Sequence, residues 1–112
     1  MNFVVHEPAE YSFRDVNGHH GKLLAKSAYK SHLIIECDEK LTVSLCQNEV
    51  EFSYYILEGD GYFILNGERE KVAPGDLVVV PVGTVYTFGG KLRMLLVNAP
   101  HWSPEQEDII YE

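Results

Sequence analysis

Residues 54–88 carry the clearest structural pattern in the chain and read YYILEGDGYFILNGEREKVAPGDLVVVPVGTVYTF. Short runs rich in Val, Ile, Tyr and Phe alternate there with clusters of turn residues. Asn66-Gly67 lies between two such runs and is a strong signal for a two-residue β-hairpin. The pattern predicts antiparallel strands joined by tight turns.

Three further turns are predicted from the same residues. Gly59-Asp60-Gly61 is interpreted as a turn between two strands, because Gly tolerates the backbone conformations that turns require. Pro74-Gly75-Asp76 is predicted to turn the chain into a buried strand, and Gly83 to form a tight corner after Pro81. Together these turns predict a compact all-β arrangement.

The rest of the chain continues the same pattern of short β-runs and turn signals. One helical turn is predicted near the end, where Ser103 is the expected N-cap, Pro104 the first helical residue and Gln106 the third. Regularly spaced strands of this kind favour a sandwich or a barrel. The further predicted strands are residues 3–5, 11–16, 22–29, 32–37, 41–47 and 92–98.

The composition narrows the classes of function. The 112 residues form one predicted domain, with 46% hydrophobic residues and a net charge of −8. A strongly acidic chain argues against nucleic acid or an anionic membrane as the main partner, since both favour clustered Lys and Arg. No apolar run has the length of a membrane span, and the N-terminus lacks the pattern of a signal peptide. We therefore expect a cytoplasmic protein, with Cys37 and Cys46 as free thiols.

Residues 32–47 are predicted to form a hairpin whose loop is Asp38-Glu39-Lys40. In that register one face is wholly apolar and is the expected core face. Cys37 lies on this face, whereas Cys46 lies on the other face, roughly opposite His32. The core face comprises Leu33, Ile35, Cys37, Leu41, Val43 and Leu45.

The runs YYILEGDGYFILNGE and VAPGDLVVVPVGTVYTF resemble the motifs of the small single-domain cupins. The resemblance covers about residues 41–99, and PGDLVVVPVGT is its most specific part. It implies that residues 1–112 form one double-stranded jelly-roll barrel whose sheets enclose a pocket.

The positions that hold metal ligands in the cupin motifs are altered in this chain. The resemblance places Leu45, Gln47, Phe52 and Tyr86 there, where the family pattern has His, His, Glu and His. Leu and Phe offer no donor atom, and Gln and a neutral Tyr are poor ligands. We therefore predict a barrel that has no metal and no other cofactor.

A pocket with an apolar floor and a few polar groups remains as the candidate site. The positions implied by the resemblance, together with alternation along the strand for Tyr54, place the following side chains in it, with the two Phe rings as walls: Gln47, Phe52, Tyr54, Tyr86 and Phe88. Two interpretations stay open. In one, the pocket binds a small molecule. In the other, these side chains fill the barrel and it binds nothing, as is common in small barrels.

The five histidines give no recognised metal motif. His19 and His20 belong to the run NGHHG, which is interpreted as a polar turn. His6 lies near the chain end, His32 on the mixed face of the predicted hairpin, and His101 beside Trp102.

The sequence therefore predicts a metal-free barrel that binds a small, partly apolar molecule, as a binding or sensor protein. The alternative is a metal-independent isomerase or epimerase that acts on a sugar nucleotide or another small metabolite. That alternative needs a general base, and it is favoured if His6, His32 or His101 enters the pocket. A symmetric homodimer is also expected, because jelly rolls must cover their sheet edges and the N-terminal run MNFVVH can add a strand to a neighbour.

Overall fold

A computed structural model describes residues 3–12 and 18–111 of the chain. In this described part the chain forms eight strands and one turn of 3₁₀ helix, so the all-β prediction is confirmed. The predicted strand at residues 11–16 lies mostly outside the described residues. The elements are β1 (His19–Lys26), β2 (Ser31–Cys37), β3 (Val43–Gln47), β4 (Glu51–Leu65), β5 (Glu68–Val72), β6 (Leu77–Val80), β7 (Val85–Ala99), the 3₁₀ turn (Pro104–Gln106) and β8 (Glu107–Tyr111).

Two long strands, β4 and β7, organise an antiparallel sheet. They pair along their whole length, from Glu51 opposite Ala99 to Leu65 opposite Tyr86. One half of this ladder also carries β6, β2 and β1, and the other half carries β5, β3 and β8. The inner faces of both halves contribute to one apolar cluster, which shows that the sheet curls around a single core.

The hairpin and the proline turn are confirmed. Asn66 and Gly67 have φ angles of 48° and 84°, as a tight two-residue hairpin between β4 and β5 requires. Gly75 has a φ of 94°, and the Asp76 carboxylate accepts a hydrogen bond from the Ala73 N–H at 2.8 Å. Gly83, with a φ of 81°, turns the chain after Pro81 as predicted.

The predicted turn at Gly59-Asp60-Gly61 is wrong. These residues lie inside β4, and the Gly89-Gly90 pair that faces them lies inside β7. A Cβ atom on Gly59 would lie 1.9 Å from the Lys91 carbonyl oxygen. The glycines therefore allow the two backbones to approach closely where the long strands pass from one half of the sheet to the other.

The predicted hairpin of residues 32–47 is also wrong in its pairing, although its core face is right. Strand β2 pairs with β1 and β7, whereas β3 pairs with β7 and β8. His32 consequently lies opposite Ala25 and Val97 and not opposite Cys46. All six residues of the predicted core face are nevertheless buried. The alternation of side chains identifies the buried face but does not identify the neighbouring strand.

Two strand predictions need correction. Strand β6 pairs only with β4 among the described strands, so it is an edge strand and not a buried one, and Leu77 and Val79 are 59% and 48% exposed. Residues 3–5 form no strand, and their side chains are exposed.

The predicted helical turn forms as a single 3₁₀ turn. Ser103 precedes it, but its side chain makes no capping hydrogen bond. No helix in the described residues has the length and apolar character to cross a membrane.

Both cysteines are buried, free thiols. Cys37 belongs to the core, as predicted, and burial raises its pKa to about 11. A thiol with so high a pKa carries almost no thiolate at neutral pH and is chemically inert.

Candidate functional site

A cavity of about 670 Å³ lies within the curled sheet. This volume falls in the range of roughly 300–1,000 Å³ that is usual for small-molecule sites. Its walls are mainly aliphatic and aromatic, with a few polar side chains among them. The lining residues are Ser12, His19, Leu33, Ile35, Leu45, Phe52, Tyr54, Leu96, Asn98, Trp102, Pro104, Glu107 and Ile109.

The five residues predicted for the pocket are all buried, but they take two different positions. Phe52 and Tyr54 lie on the inner face of β4 and line the cavity. Gln47, Tyr86 and Phe88 lie behind this lining, where Tyr86 and Phe88 pack against Tyr54 with ring centroids 6.0 and 5.5 Å away. The structure thus brings all five side chains together beside the cavity.

A chain of hydrogen bonds begins at the backbone of the loop between β3 and β4. The N–H groups of Asn48 and Glu49 donate to Gln106 Oε1 at 2.9 and 3.1 Å. A backbone N–H is always a donor, so these two bonds fix which end of the Gln106 amide is oxygen. Gln106 Nε2 then donates to Gln47 Oε1 at 2.6 Å, and this bond fixes the Gln47 amide in turn.

The Gln47 amide directs its two N–H groups to two different partners. Gln47 Nε2 donates to Glu107 Oε2 at 2.6 Å and to the Tyr86 hydroxyl at 3.3 Å. The Tyr86 and Tyr54 hydroxyl oxygens are 2.9 Å apart. Since Tyr86 already accepts from Gln47, its own proton is best satisfied by donation to Tyr54. The Tyr54 hydroxyl then accepts this bond and keeps its own proton for a further contact.

Glu107 is the carboxylate of the cavity, and it lies at the start of β8, directly opposite Gln47 in the β3–β8 ladder. Burial raises the pKa of this carboxyl above its ordinary value of 4.5, against the hydrogen bonds from Gln47 and from the Trp102 side chain, which lower it. A raised pKa makes Glu107 a stronger base than an exposed carboxylate. Burial also raises the pKa of Tyr54 and Tyr86, so both phenols keep their protons at neutral pH.

His19 is the histidine that lines the cavity, and its prediction as part of a turn is wrong. It lies in β1, opposite the core residue Cys37, and its ring contacts that of Phe88 edge-on at 6.0 Å. His20 also lies in β1, stacked near Tyr11 on the other face. His6, His32 and His101 are not among the described lining residues.

A second polar group of the cavity is formed by Asn98 and Ser31. Asn98, on the inner face of β7, donates through Nδ2 to Ser31 Oγ at 3.0 Å. The backbone N–H of Trp102 donates to the same Ser31 oxygen at 3.3 Å. Trp102 therefore connects the Asn98–Ser31 pair to Glu107 along the cavity wall.

The sequence matches no protein-family model and no curated protein. Solved structures, however, share its fold at low sequence identity. The Streptomyces protein PAC13 was solved as a Tyr-to-Phe variant with uridine, and that structure is 20% identical, with a TM-score of 0.89 over 99% of this chain and 92% of that chain. Another structure of Pac13, a nucleoside dehydratase, is 19% identical with the same score and coverage.

Two other solved structures are similar over most of this chain. KdgF from Halomonas is 17% identical, with a TM-score of 0.73 over 86% of this chain and 89% of that chain. The cupin domain of Schizosaccharomyces pombe Cnp3 is 14% identical, with a TM-score of 0.70 over 82% of this chain and 69% of that chain. The fold is a cupin-type barrel.

The metal positions of this cupin-type barrel do not fit a metal ion. Leu45 and Phe52 line the cavity with carbon atoms only, and both ends of the Gln47 amide are used by hydrogen bonds within the protein. Tyr86 holds its proton, because burial raises its pKa. Within residues 3–12 and 18–111, no group of three His, Cys, Asp or Glu side chains is arranged to hold a metal. That the protein works without a metal remains a prediction.

Sequence reasoning missed four polar residues of the cupin-type cavity, and the signals for them differ. His19 could have been found from the β1–β2 pairing, because a residue opposite Cys37 shares its core face. Asn98 continues the inward alternation of Met94 and Leu96 and was therefore predictable. Glu107 and Trp102 had no local signal, since their positions depend on the pairing of β8 with a distant strand.

Proposed function

We propose that this protein is a metal-independent acid–base enzyme whose cavity binds a small, uncharged, partly apolar molecule of about the size of a nucleoside. The observation that carries the proposal is the Glu107 carboxylate, which shares a mostly apolar cavity with the Tyr54 phenol and has a raised pKa. A pair of this kind supplies one group that accepts a proton and one that donates a proton. A barrel that only packs its own side chains gains nothing from a half-buried carboxylate, which is costly to desolvate.

The charge of the cavity supports an uncharged ligand. Among the described lining residues there is no Lys or Arg, and Glu107 brings a negative charge. The chain as a whole carries a net charge of −8. A phosphate or pyrophosphate group would meet repulsion there and no counter-charge, so a sugar nucleotide is a poor candidate. A nucleoside presents an apolar ring face and polar edges without a charge, and Pac13, with the same fold, is a nucleoside dehydratase.

The arrangement suits the elimination of water. In such a reaction the Glu107 carboxylate takes a proton from carbon, and the electron pair of that C–H bond forms a carbon–carbon double bond. The neighbouring C–O bond breaks, and the departing hydroxide takes the proton of the Tyr54 hydroxyl to leave as water. Tyr86, which accepts a hydrogen bond from Gln47, donates its own proton to the resulting charge on Tyr54.

Binding and turnover of nucleosides test this proposal. The purified protein is titrated with uridine and with uridine 5′-monophosphate by calorimetry, and incubated with a panel of nucleosides while mass spectrometry follows the loss of one water. We expect uridine to bind and its monophosphate to bind at least about 10-fold more weakly. Glu107→Gln should abolish turnover and keep binding, whereas Glu105→Gln, an exposed carboxylate two residues away, should change neither.

Isomerisation and simple binding are the competing functions, and the same experiment separates them. An isomerase or epimerase uses the same base but leaves the mass of its substrate unchanged, so its product appears by NMR and not by mass. A sensor binds its ligand with no turnover, and Glu107→Gln then changes affinity alone. Absence of binding to every uncharged nucleoside would contradict the proposed ligand class.

A further inference from the structure

Asn98 has an unused hydrogen-bond acceptor beside the cavity. Its side chain is 1% exposed, and it lines the cavity wall opposite Phe52 in the β4–β7 ladder. Its Nδ2 atom donates to Ser31, but its Oδ1 atom has no hydrogen-bond partner among the described residues. A buried carbonyl oxygen without a donor is unfavourable, and most proteins avoid it.

Ser31 and the Trp102 backbone are the polar neighbours of the Asn98 amide. Ser31 Oγ accepts both the Asn98 Nδ2–H and the Trp102 backbone N–H. Ser31 is itself 2% exposed and faces Asn98 in the β2–β7 ladder. The side chain is thus held between two strands and the segment that carries Trp102, with its oxygen buried and unpaired.

We infer that Asn98 Oδ1 binds an N–H or O–H group of the ligand, and that Asn98 is the residue that determines ligand specificity. The inference deepens the proposed function and rests on it. Trp102 lies between Asn98 and Glu107, because it is hydrogen-bonded to Ser31 through its backbone and to Glu107 through its side chain. The ligand therefore carries a hydrogen-bond donor at one end, an apolar ring face in the middle, and its reacting carbon at the Glu107 end.

This arrangement selects a class of ring compounds. A ring amide or imide carries an N–H donor in the plane of the ring, so its edge can meet Asn98 while its faces lie against apolar walls. A ring with acceptors alone leaves Oδ1 unpaired and adds a lone-pair repulsion. Rejection is strong when a buried polar group of the site is left without its partner.

Two probes that differ at one donor test the role of Asn98. Uridine has a free imide N–H, and 3-methyluridine has a methyl group in its place. We expect the wild-type protein to bind uridine roughly 10- to 100-fold more tightly than 3-methyluridine by calorimetry, and Asn98→Leu to bind the two with nearly equal, weak affinity. Thr87→Val is the matched control, since it removes a buried hydroxyl that is hydrogen-bonded to Val43 and does not line the cavity.

The possible outcomes are distinct. If the wild-type protein binds uridine and Asn98→Leu keeps the same preference between the two probes, the inference is overturned. The proposed function then stays intact. A wild-type protein that binds neither probe overturns the proposed ligand class and the inference with it. Thermal unfolding distinguishes a role in ligand binding from a purely structural role. If Asn98 serves the ligand, Asn98→Leu melts at or above the wild-type temperature. If Asn98 is purely structural, the variant melts at a lower temperature and loses affinity equally for both probes.

Discussion

Two polar side chains of this cavity lie where burial disfavours a charge or leaves a hydrogen-bond acceptor without a donor. Glu107 carries a carboxylate where burial disfavours its charge, and Asn98 has an oxygen that no described residue pairs. Gln106 and Gln47, by contrast, use their amides fully and orient the groups around them. The function proposed for this cavity therefore depends on a few buried polar groups that are held by well-satisfied neighbours.

Glu107→Gln should stabilise the protein at neutral pH. A carboxyl whose pKa is raised on folding binds its proton more tightly in the folded state than in the unfolded state. Its contribution to stability is therefore most favourable below the unfolded value of 4.5 and is lost as the pH rises through the folded value. The Gln variant should show an equal or higher melting temperature at pH 7 and a flatter dependence of stability on pH above 4.5. A lower melting temperature at pH 7 would show that the charge itself stabilises the fold.

Changes at Tyr86 separate packing from hydrogen bonding. Tyr86→Phe keeps the ring and removes the hydroxyl that joins Gln47 to Tyr54, so it should cost about 1 kcal/mol in the free energy of unfolding and reduce turnover. Tyr86→Ala should cost about 3–5 kcal/mol, because it leaves a cavity in the core. Denaturant titration gives both values. Equal turnover in Tyr86→Phe and wild type would remove Tyr86 from the proposed mechanism.

Sequence reasoning reached part of the site because strand alternation is a local property. Tyr54 was assigned to the inner face from alternation along its strand, whereas Phe52 and Gln47 came from the cupin resemblance, and the spacing of Gln47 to Leu45 agreed with it. Glu107 was not predicted, because its position depends on the pairing of β8 with β3, in which Glu107 lies opposite Gln47, 60 residues earlier in the sequence. Non-local pairing of this kind leaves no periodic signal near the residue.

The long strands show how an element can mislead a sequence-based interpretation. Gly59 and Gly61 have the composition of a turn, yet they continue β4 through its closest approach to β7. Glycine serves both purposes, since the lack of a Cβ atom permits positive φ angles and also close backbone contact. The Asn66-Gly67 turn was predictable because its two residues match one specific hairpin type.

Two glycine substitutions should distinguish strain from steric exclusion. Gly59 and Gly67 both have positive φ angles, of 104° and 84°, but only Gly59 has backbone atoms in the space of a Cβ. Gly67→Ala should cost about 1–2 kcal/mol in stability through backbone strain. Gly59→Ala should cost clearly more, because the β4–β7 ladder must open to accept the methyl group. Chemical denaturation measures both, and equal costs would contradict a role of Gly59 in close packing.

At the scale of the whole molecule, the edge strand β6 exposes an apolar surface. Leu77 and Val79 point outward from β6, and Tyr55 and Leu57 of the adjacent β4 are 42% and 36% exposed. An exposed apolar edge strand is prone to pair with another chain. The predicted homodimer thus has a plausible surface at β6, different from the N-terminal run from which the sequence predicted it.

A symmetric dimer through this edge is the expected assembly. Sedimentation at micromolar concentration should give about twice the chain mass of 12.7 kDa. Val79→Lys should give the monomer, because it places a charge on the edge strand. Glu70→Lys, on the exposed β5 strand, serves as the control and should leave the mass unchanged. A wild-type monomer under these conditions would exclude the dimer.

Strand β8 brings Glu107 into the cavity, and among the described strands it is hydrogen-bonded only to β3. Its last three side chains, Ile109, Ile110 and Tyr111, are 40%, 44% and 73% exposed, so little burial secures it. Detachment of this one strand costs less than unfolding of the barrel, as is usual for elements at the margin of a structure. Heating should therefore abolish the proposed acid–base chemistry at a lower temperature than that at which the barrel melts. A ligand that bridges Glu107 and Asn98 should reduce the difference between these two temperatures, because it holds β8 against the rest of the molecule.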